Sequence, residues 1–280
     1  MPASSCSFMV GSIRCTVLSD GYSAYPAPYF FPGARQEQLA GRLASESVTT
    51  PYTCLLIETG RHVVLVDTGG GSSSETNGAL VARLHRAGIR PKDVETVVLT
   101  HAHPDHIGGA VNPAGRPVFP EARHVMAERE WDFWTTGRAD LRPLPIPASI
   151  TDTMRSTAQR CLRALRFQVD PISTEAEIVP GVRALPAPGH TPGHLAIHIS
   201  SEGEHLLNVA DAAVHPLHLE EPGWASGFDL EPETAIASRR ALLEEAASPH
   251  TRLMAFHLPF PSVGRVAPRA EGGWSWTPGW

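Results

Sequence analysis

The chain has 280 residues and a formal net charge of −6, and only 19% of its residues are charged, against roughly 25% in typical soluble domains. It shows no basic stripe, which argues against nucleic acid as a partner, and no apolar run of membrane-span length, which argues against insertion in a bilayer. Its 26 prolines point to a loop-rich enzyme rather than a helical bundle, and its length suits a two-sheet enzyme folded as one domain over residues 1–280.

In chain order, residues 8–18 alternate well enough for a first strand, ending at Ser19-Asp20-Gly21. Residues 22–50 read as irregular, with Tyr22, Tyr25, Tyr29, Phe30 and Phe31 among prolines. So long a segment is expected to cover the rim of a site or to meet a second subunit. Strands are expected at 52–58 and 62–67, and a helix at 76–87, where Leu80, Val81, Leu84 and His85 keep helical spacing. A second helix opens at Thr151-Asp152 and runs to about Arg166, and a third lies between Asp229 and Ala247 with Leu242 and Leu243 inward. Residues 182–187, 194–200 and 204–210 read as strands. The tail from Gly272 carries Trp274, Trp276 and Trp280, aromatic surface costly to leave in water, so it is expected to pack back on the body or on a second subunit.

Cys6, Cys15, Cys54 and Cys161 form no C-x-x-C pair, and Met1–Cys6 lacks the basic start and apolar core of a signal peptide. Reduced, mostly buried thiols in a cytoplasmic protein are expected.

The most informative stretch follows the apolar run Val97-Val98-Leu99: Thr100-His101-Ala102-His103-Pro104-Asp105-His106-Ile107-Gly108-Gly109. His101 and His103, two apart on extended chain, point the same way, and Asp105 and His106 lie round the following turn. One ion rarely takes four ligands packed so tightly in one segment, but two adjacent ions can. Three further stretches supply what such a site lacks. Pro188-Gly189-His190-Thr191-Pro192-Gly193-His194 presents a histidine from a stiff turn. Leu206–Asp211 is an apolar strand ending in a carboxylate, and Leu253–His257 is another ending in a histidine. The set divides into His101, His103 and His190 on one ion and Asp105, His106 and His257 on the other, with Asp211 between them. Each ion then keeps room for a water, as catalytic zinc requires.

These motifs resemble the metallo-β-lactamase-fold hydrolases over roughly residues 50 to 260, and Val64-Leu65-Val66-Asp67-Thr68-Gly69 is similar to that superfamily's early strand-turn element. The resemblance implies an α/β fold, an αβ/βα sandwich of two mixed sheets flanked by helices, with Asp67 supporting the metal loops. His257–Gly264 and Trp276-Thr277-Pro278 resemble the branch holding N-acyl-homoserine lactonases and methyl-parathion-type hydrolases. The implied activity is opening of a lactone or related neutral ester by a metal-bridging hydroxide. Asp105 would relay a proton to the leaving group. Organophosphate triester, aryl ester or thioester hydrolysis is the alternative, and a metal-containing ligand-binding module the non-enzymatic one. The expected cofactors are two divalent ions, zinc by default, with iron, cobalt or manganese acceptable to the same donors. The expected partner is a small, neutral, apolar ester or lactone, and a homodimer is compatible with the sequence.

Some lactonases of this branch place a tyrosine three residues after the bridging aspartate; here Val214 stands there, followed by His215. Either His215 takes over as a catalytic group or another residue does, and His215 and His218 are otherwise ordinary loop histidines. Trp131, Phe133, Trp134 and Trp224 are candidates to line an apolar pocket, with core packing as the alternative.

Overall fold

The computed structural model describes residues 4–173 and 175–279. Its first sheet takes its strands in chain order: β1 (Ser5–Val10), β2 (Ile13–Pro26), β3 (Ser47–Glu58), β4 (Val63–Val66), β5 (Thr96–Val98), β6 (Arg123–Ala127) and β7 (Val169–Ile172). Pairing is antiparallel from β1 to β4 and parallel from β4 to β7. The second sheet runs from β8 (Ala176–Val179) through β9 (Val182–Pro186), β10 (Leu195–Ser201), β11 (Glu204–Asn208), β12 (Thr251–Met254) and β13 (Val263–Pro268) to β14 (Trp274–Pro278). Only its β11–β12 pair is parallel.

The period-two pattern explains the layering, because successive strand side chains point to opposite faces. Cys15, Val17, Leu55 and Ile57 of the first sheet meet Leu195, Ile197, Ile199 and Leu206 of the second in the core between the sheets. The alternate residues Leu18, Cys54 and Leu56 face outward, on to α2 (Leu80–Arg86) and α5 (Ala148–Leu165). Ala196, Leu207 and Leu253 do the same on the second sheet, against α7 (Pro232–Ala246), which turns Leu242 and Leu243 inward as its spacing predicts. The result is the αβ/βα sandwich of two mixed sheets expected from the motifs. The remaining helices are short: α1 (Gln36–Leu39), α3 (Pro104–Ile107), α4 (Glu128–Thr135) and α6 (Leu217–Glu220).

Several boundaries differ from the sequence reading, each for a local reason. The stretch 8–18 is not one strand but the end of β1, a turn and the start of β2. Gly11 makes that turn at φ +52°, where an added Cβ would sit 2.4 Å from the Ser201 carbonyl oxygen. The helix expected from residue 76 starts at Leu80, because buried Asp20 accepts the N–H groups of Gly70, Gly78 and Leu80 and holds the preceding chain in a loop. Residues 22–50 are not irregular throughout. Both ends extend β2 and β3 as a two-stranded ribbon, and Phe30, Phe31, Val48, Val214 and Leu217 form a small core beneath it. The tryptophan tail packs back on the body as edge strand β14, while Trp280 lies outside the described residues. Among the described residues, no helix is long and apolar enough to cross a membrane.

All four cysteines are free; Cys15, Cys54 and Cys161 are buried and Cys6 is half-buried. Burial pushes the Cys15 thiol up to about 12 and Cys161 to about 11. With so little thiolate, these cannot react quickly. A thiol reagent at neutral pH should therefore label the native protein at Cys6 alone and reach the other three only after denaturation, as peptide mapping by mass spectrometry would show.

Candidate metal centre

Every strand that feeds the site ends at the same rim of the sandwich. Asp67 follows β4, the His101–His106 segment follows β5, His190 sits in the β9–β10 turn, Asp211 follows β11 and His257 follows β12. Convergence of strand ends is what brings candidate ligands as far apart in sequence as His101 and His257 to one point. Two ligand groups result. His101, His103, His190 and Asp211 have donor atoms within 4.8 Å of one another, and so do Asp105, His106 and His257. The structure thus brings together the residues that the sequence reading paired, with Asp211 falling in the first group. Asp211 also reaches the second group: its Oδ1 lies 3.3 Å from His106 Nε2, and its Oδ2 lies 3.3 Å from both His190 Nε2 and His257 Nε2.

The imidazoles are oriented from behind. His106 Nδ1–H donates to Asp67 at 2.8 Å, His190 Nδ1–H to Asp229 at 2.9 Å, and His257 Nδ1–H to the Pro51 carbonyl at 2.9 Å. Thr100 gives its hydroxyl proton to Asp67 at 2.8 Å, which leaves its oxygen to accept from His101 Nδ1–H at 3.1 Å. Each bond fixes a tautomer whose Nε2 lone pair faces the centre, the usual way a protein orients histidine ligands. His103 is turned the other way, with Nδ1 3.0 Å from His190 Nε2.

Do these residues fit metal ions? Buried polar atoms normally find hydrogen bonds. Yet His101 Nε2, His106 Nε2 and Asp211 Oδ1 are buried with no hydrogen-bonding partner. A set of lone pairs converging on a buried carboxylate lacks only a cation. Burial opposes charge on the imidazoles, but Asp211 and neighbouring carboxylates more than offset it at His190 and His257, which are pushed up to about 9 and about 10. His101 and His103 are held well below their usual range by burial and by the other histidines. The cluster thus draws positive charge to its carboxylates, and a divalent ion would take the place of those protons.

Bracing residues that the sequence did not reveal complete the frame. Glu130, fully buried on α4, accepts from Ala102 N–H (3.0 Å), Trp134 Nε1–H (2.7 Å), Thr191 Oγ1–H (2.6 Å) and Gly193 N–H (3.1 Å). It ties the segment carrying His101 and His103 to the turn carrying His190. Gly193 permits this contact, since a Cβ there would lie 2.3 Å from the Glu130 backbone nitrogen. His194 donates from Nδ1 to the Ala187 carbonyl and accepts the Asp211 N–H at Nε2. Arg239, buried in α7, holds the Ala212 carbonyl and contacts Asp229, the partner of His190. Asp67 at φ +59° and Ala210 at φ +44° are in the left-handed region disfavoured for residues with a Cβ. Such strain collects at functional sites.

The metal groups floor a cavity of about 420 Å³. Its walls carry Tyr25, Phe30, Tyr52, Ile150, Met154 and Phe228, and no Lys or Arg among the described residues lines it. Asp105 faces this space, its side chain 21% exposed. The aromatic candidates from the sequence do not line it. Trp134 is fully buried in the helix-packed core with its N–H on Glu130; Trp131 and Phe133 pack against the same core, and Trp224 packs on Phe31. Nor does the structure bring His215 and His218 to the cavity: both rings pack against Phe31, and His215 Nδ1 accepts the Leu217 N–H.

The family model described as the metallo-beta-lactamase superfamily matches residues 49–257. The chain belongs to that superfamily. Among similar metallo-beta-lactamase relatives, the N-acyl homoserine lactonase AiiA of Bacillus thuringiensis subsp. kurstaki is 27% identical over 216 residues, covering 69% of this chain and 76% of its own. The N-acyl homoserine lactonase of Bacillus cereus is 27% identical over 244 residues, covering 77% and 86%. Among solved structures, AidC, described as a dizinc quorum-quenching lactonase in complex with the product N-hexanoyl-L-homoserine, matches with a TM-score of 0.90 at 28% identity over 99% of this chain and 97% of its own. The hydrolase AbOPH shares the fold, with a TM-score of 0.87 at 24% identity over 100% and 99%. With the two ligand groups, these relatives make this superfamily member a metal-dependent hydrolase of ester bonds with a dinuclear divalent metal site.

Replacing Glu130 by alanine would leave four buried donors without an acceptor, each worth about 1–3 kcal/mol. Glu130→Ala should lower the unfolding free energy by at least about 3 kcal/mol, measured by urea denaturation, and reduce metal retention after dialysis. Unchanged stability and metal content would show that the clamp has no structural weight.

Proposed function

We propose that this chain is a dinuclear-metal lactonase that opens a small, neutral lactone bearing an apolar acyl group. The observation that supports it most is the pairing of the shared Asp211 with a cavity walled by aromatic and aliphatic side chains and lined by no Lys or Arg. Away from the metal groups a polyanionic substrate would find no cationic side chain, whereas an uncharged acyl chain would find apolar cover. AidC, with its lactone-derived product, supports the same reading. With an acyl-homoserine lactone as substrate, the reaction would quench a quorum signal.

In this reading His101, His103 and His190 would hold one ion and Asp105, His106 and His257 the other, with Asp211 placed to serve both. Bound there, two divalent ions would supply a water activated near neutral pH and Lewis-acid polarisation of the ester carbonyl. The chain's own residues do the rest. Asp211 fixes the separation of the two groups. Asp105, open to the cavity, receives the proton lost by the attacking water on a carboxylate oxygen. It passes that proton to the alkoxide released as the ring C–O bond breaks, so the product is the hydroxy acid. Tyr25, Phe30 and Phe228 exclude water from the acyl side.

Hydrolysis assays over lactones, aryl esters, phosphotriesters and β-lactams test this directly. Lactones should be the preferred substrates. Activity should disappear on chelation and return with zinc, cobalt or manganese, and Asp211→Ala should abolish turnover while emptying the second group most. A metal-loaded protein that opens no lactone and cleaves no activated ester would make a binding role the better account.

A further inference from the structure

The ribbon formed by the ends of β2 and β3 has two unlike faces. Past the bulge at Ser19/Gly21 the register pairs Tyr22 with Pro51, Ser23 with Thr50, Ala24 with Thr49 and Tyr25 with Val48. Alternation then puts Tyr22, Ala24 and Thr49 on an outer, solvent-exposed face. Ser23, Tyr25, Thr50 and Tyr52 share the inner face, and all four line the cavity above the metal groups. A strand pair that must only cover an apolar cavity would place aliphatic residues here. This one places four hydroxyls.

Two of them are held firmly beside the reacting centre. Tyr52 is 4% exposed, with its ring edge-on to His257 at 5.7 Å and tilted against Phe256 at 6.0 Å. Tyr25 is wedged between Phe30 and Phe228, at 6.4 and 6.1 Å. The Ser23, Tyr25 and Tyr52 side chains share the cavity face, while Thr50 donates its hydroxyl to the Ser23 carbonyl. A tyrosine phenol keeps its proton at neutral pH, so both tyrosines remain donors. A substrate oxygen entering the cavity can compete for one of these hydroxyl protons, since all three residues line the space above the metal groups.

Resting on the hydrolase reading above, we propose that Tyr52, held in place by Tyr25 and Ser23, is a catalytic hydrogen-bond donor to the substrate oxygen that gains charge as the ester carbonyl is attacked. No proton is transferred: the phenol keeps its hydrogen and stabilises the developing charge. Tyr52 contributes the donor, and Tyr25 is a positioning residue that orients it. The wall is thereby divided by function, with hydroxyls at the metal end and Phe30, Phe228, Ile150 and Met154 left for the acyl chain.

The variants Tyr52→Phe, Tyr25→Phe and the double variant keep the rings and remove the hydroxyls. With N-hexanoyl-homoserine lactone as probe, Tyr52→Phe should lower kcat by about 100-fold, the scale of losing one oxyanion donor. KM, metal content and melting temperature should be little changed. Tyr25→Phe should lose less, and the double variant no more than Tyr52→Phe, because the two act as one unit. In calorimetry, the product N-hexanoyl-L-homoserine should bind metal-loaded Tyr52→Phe more weakly than wild type. A Tyr52→Phe enzyme with kcat within about two-fold of wild type and unaltered product affinity overturns the donor role alone. So does one that loses metal and activity together, since Tyr52 would then act only by packing on His257. A wild-type enzyme that hydrolyses no lactone or ester removes the hydrolase reading, and the donor role with it.

Discussion

Asp211 is a carboxylate almost wholly buried at the floor of the cavity, and nearly every unusual feature of the site follows from that placement. An ionised carboxylate in an apolar frame is costly unless charge and hydrogen bonds compensate it. The protein anchors the Asp211 backbone, whose N–H donates to His194 Nε2, and surrounds the carboxylate with imidazole nitrogens at 3.3 to 3.9 Å. Those nitrogens cannot all be protonated so close together, so the neighbours alone do not meet the need. Divalent cations do, and they also satisfy the lone pairs of His101 and His106.

Holding so many lone pairs towards one point is itself unfavourable, and the outer bonds counter that cost. Asp67, Asp229 and the Pro51 carbonyl each take the Nδ1–H of a histidine, while Glu130 locks the two loops that carry the first group. Pro51 belongs to β3, whose neighbouring residues Thr50 and Tyr52 line the cavity. The strand that orients His257 therefore also forms the wall facing the substrate, coupling metal geometry to substrate contact through three consecutive residues.

The candidate ligands were legible because their information is local. His101, His103, Asp105 and His106 fall within six positions, and Asp211 and His257 follow apolar strands. Glu130 and His194 were not, because their meaning lies in partners far along the chain: Glu130 meets Ala102 and Thr191 across 28 and 61 residues. Trp131, Phe133 and Trp134 suggested a pocket by composition, but α4 turns them towards the first sheet, a choice set by packing rather than by residue type. The ribbon was hidden in a different way. Its alternation, Ser23-x-Tyr25 facing Thr50-x-Tyr52, is present in the sequence, but the prolines and aromatics around it read as loop. His215 drew attention by following Asp211 closely, yet the turn after Val214 sends its ring to Phe31.

The central claim is that two ions share Asp211. Anomalous diffraction from crystals of the zinc-loaded protein, recorded on both sides of the zinc edge, tests it most directly. The account predicts two peaks roughly 3.5–4 Å apart, one among His101, His103 and His190, the other among Asp105, His106 and His257, with Asp211 touching both. A single peak at full zinc loading, or two peaks of which Asp211 contacts only one, would contradict it.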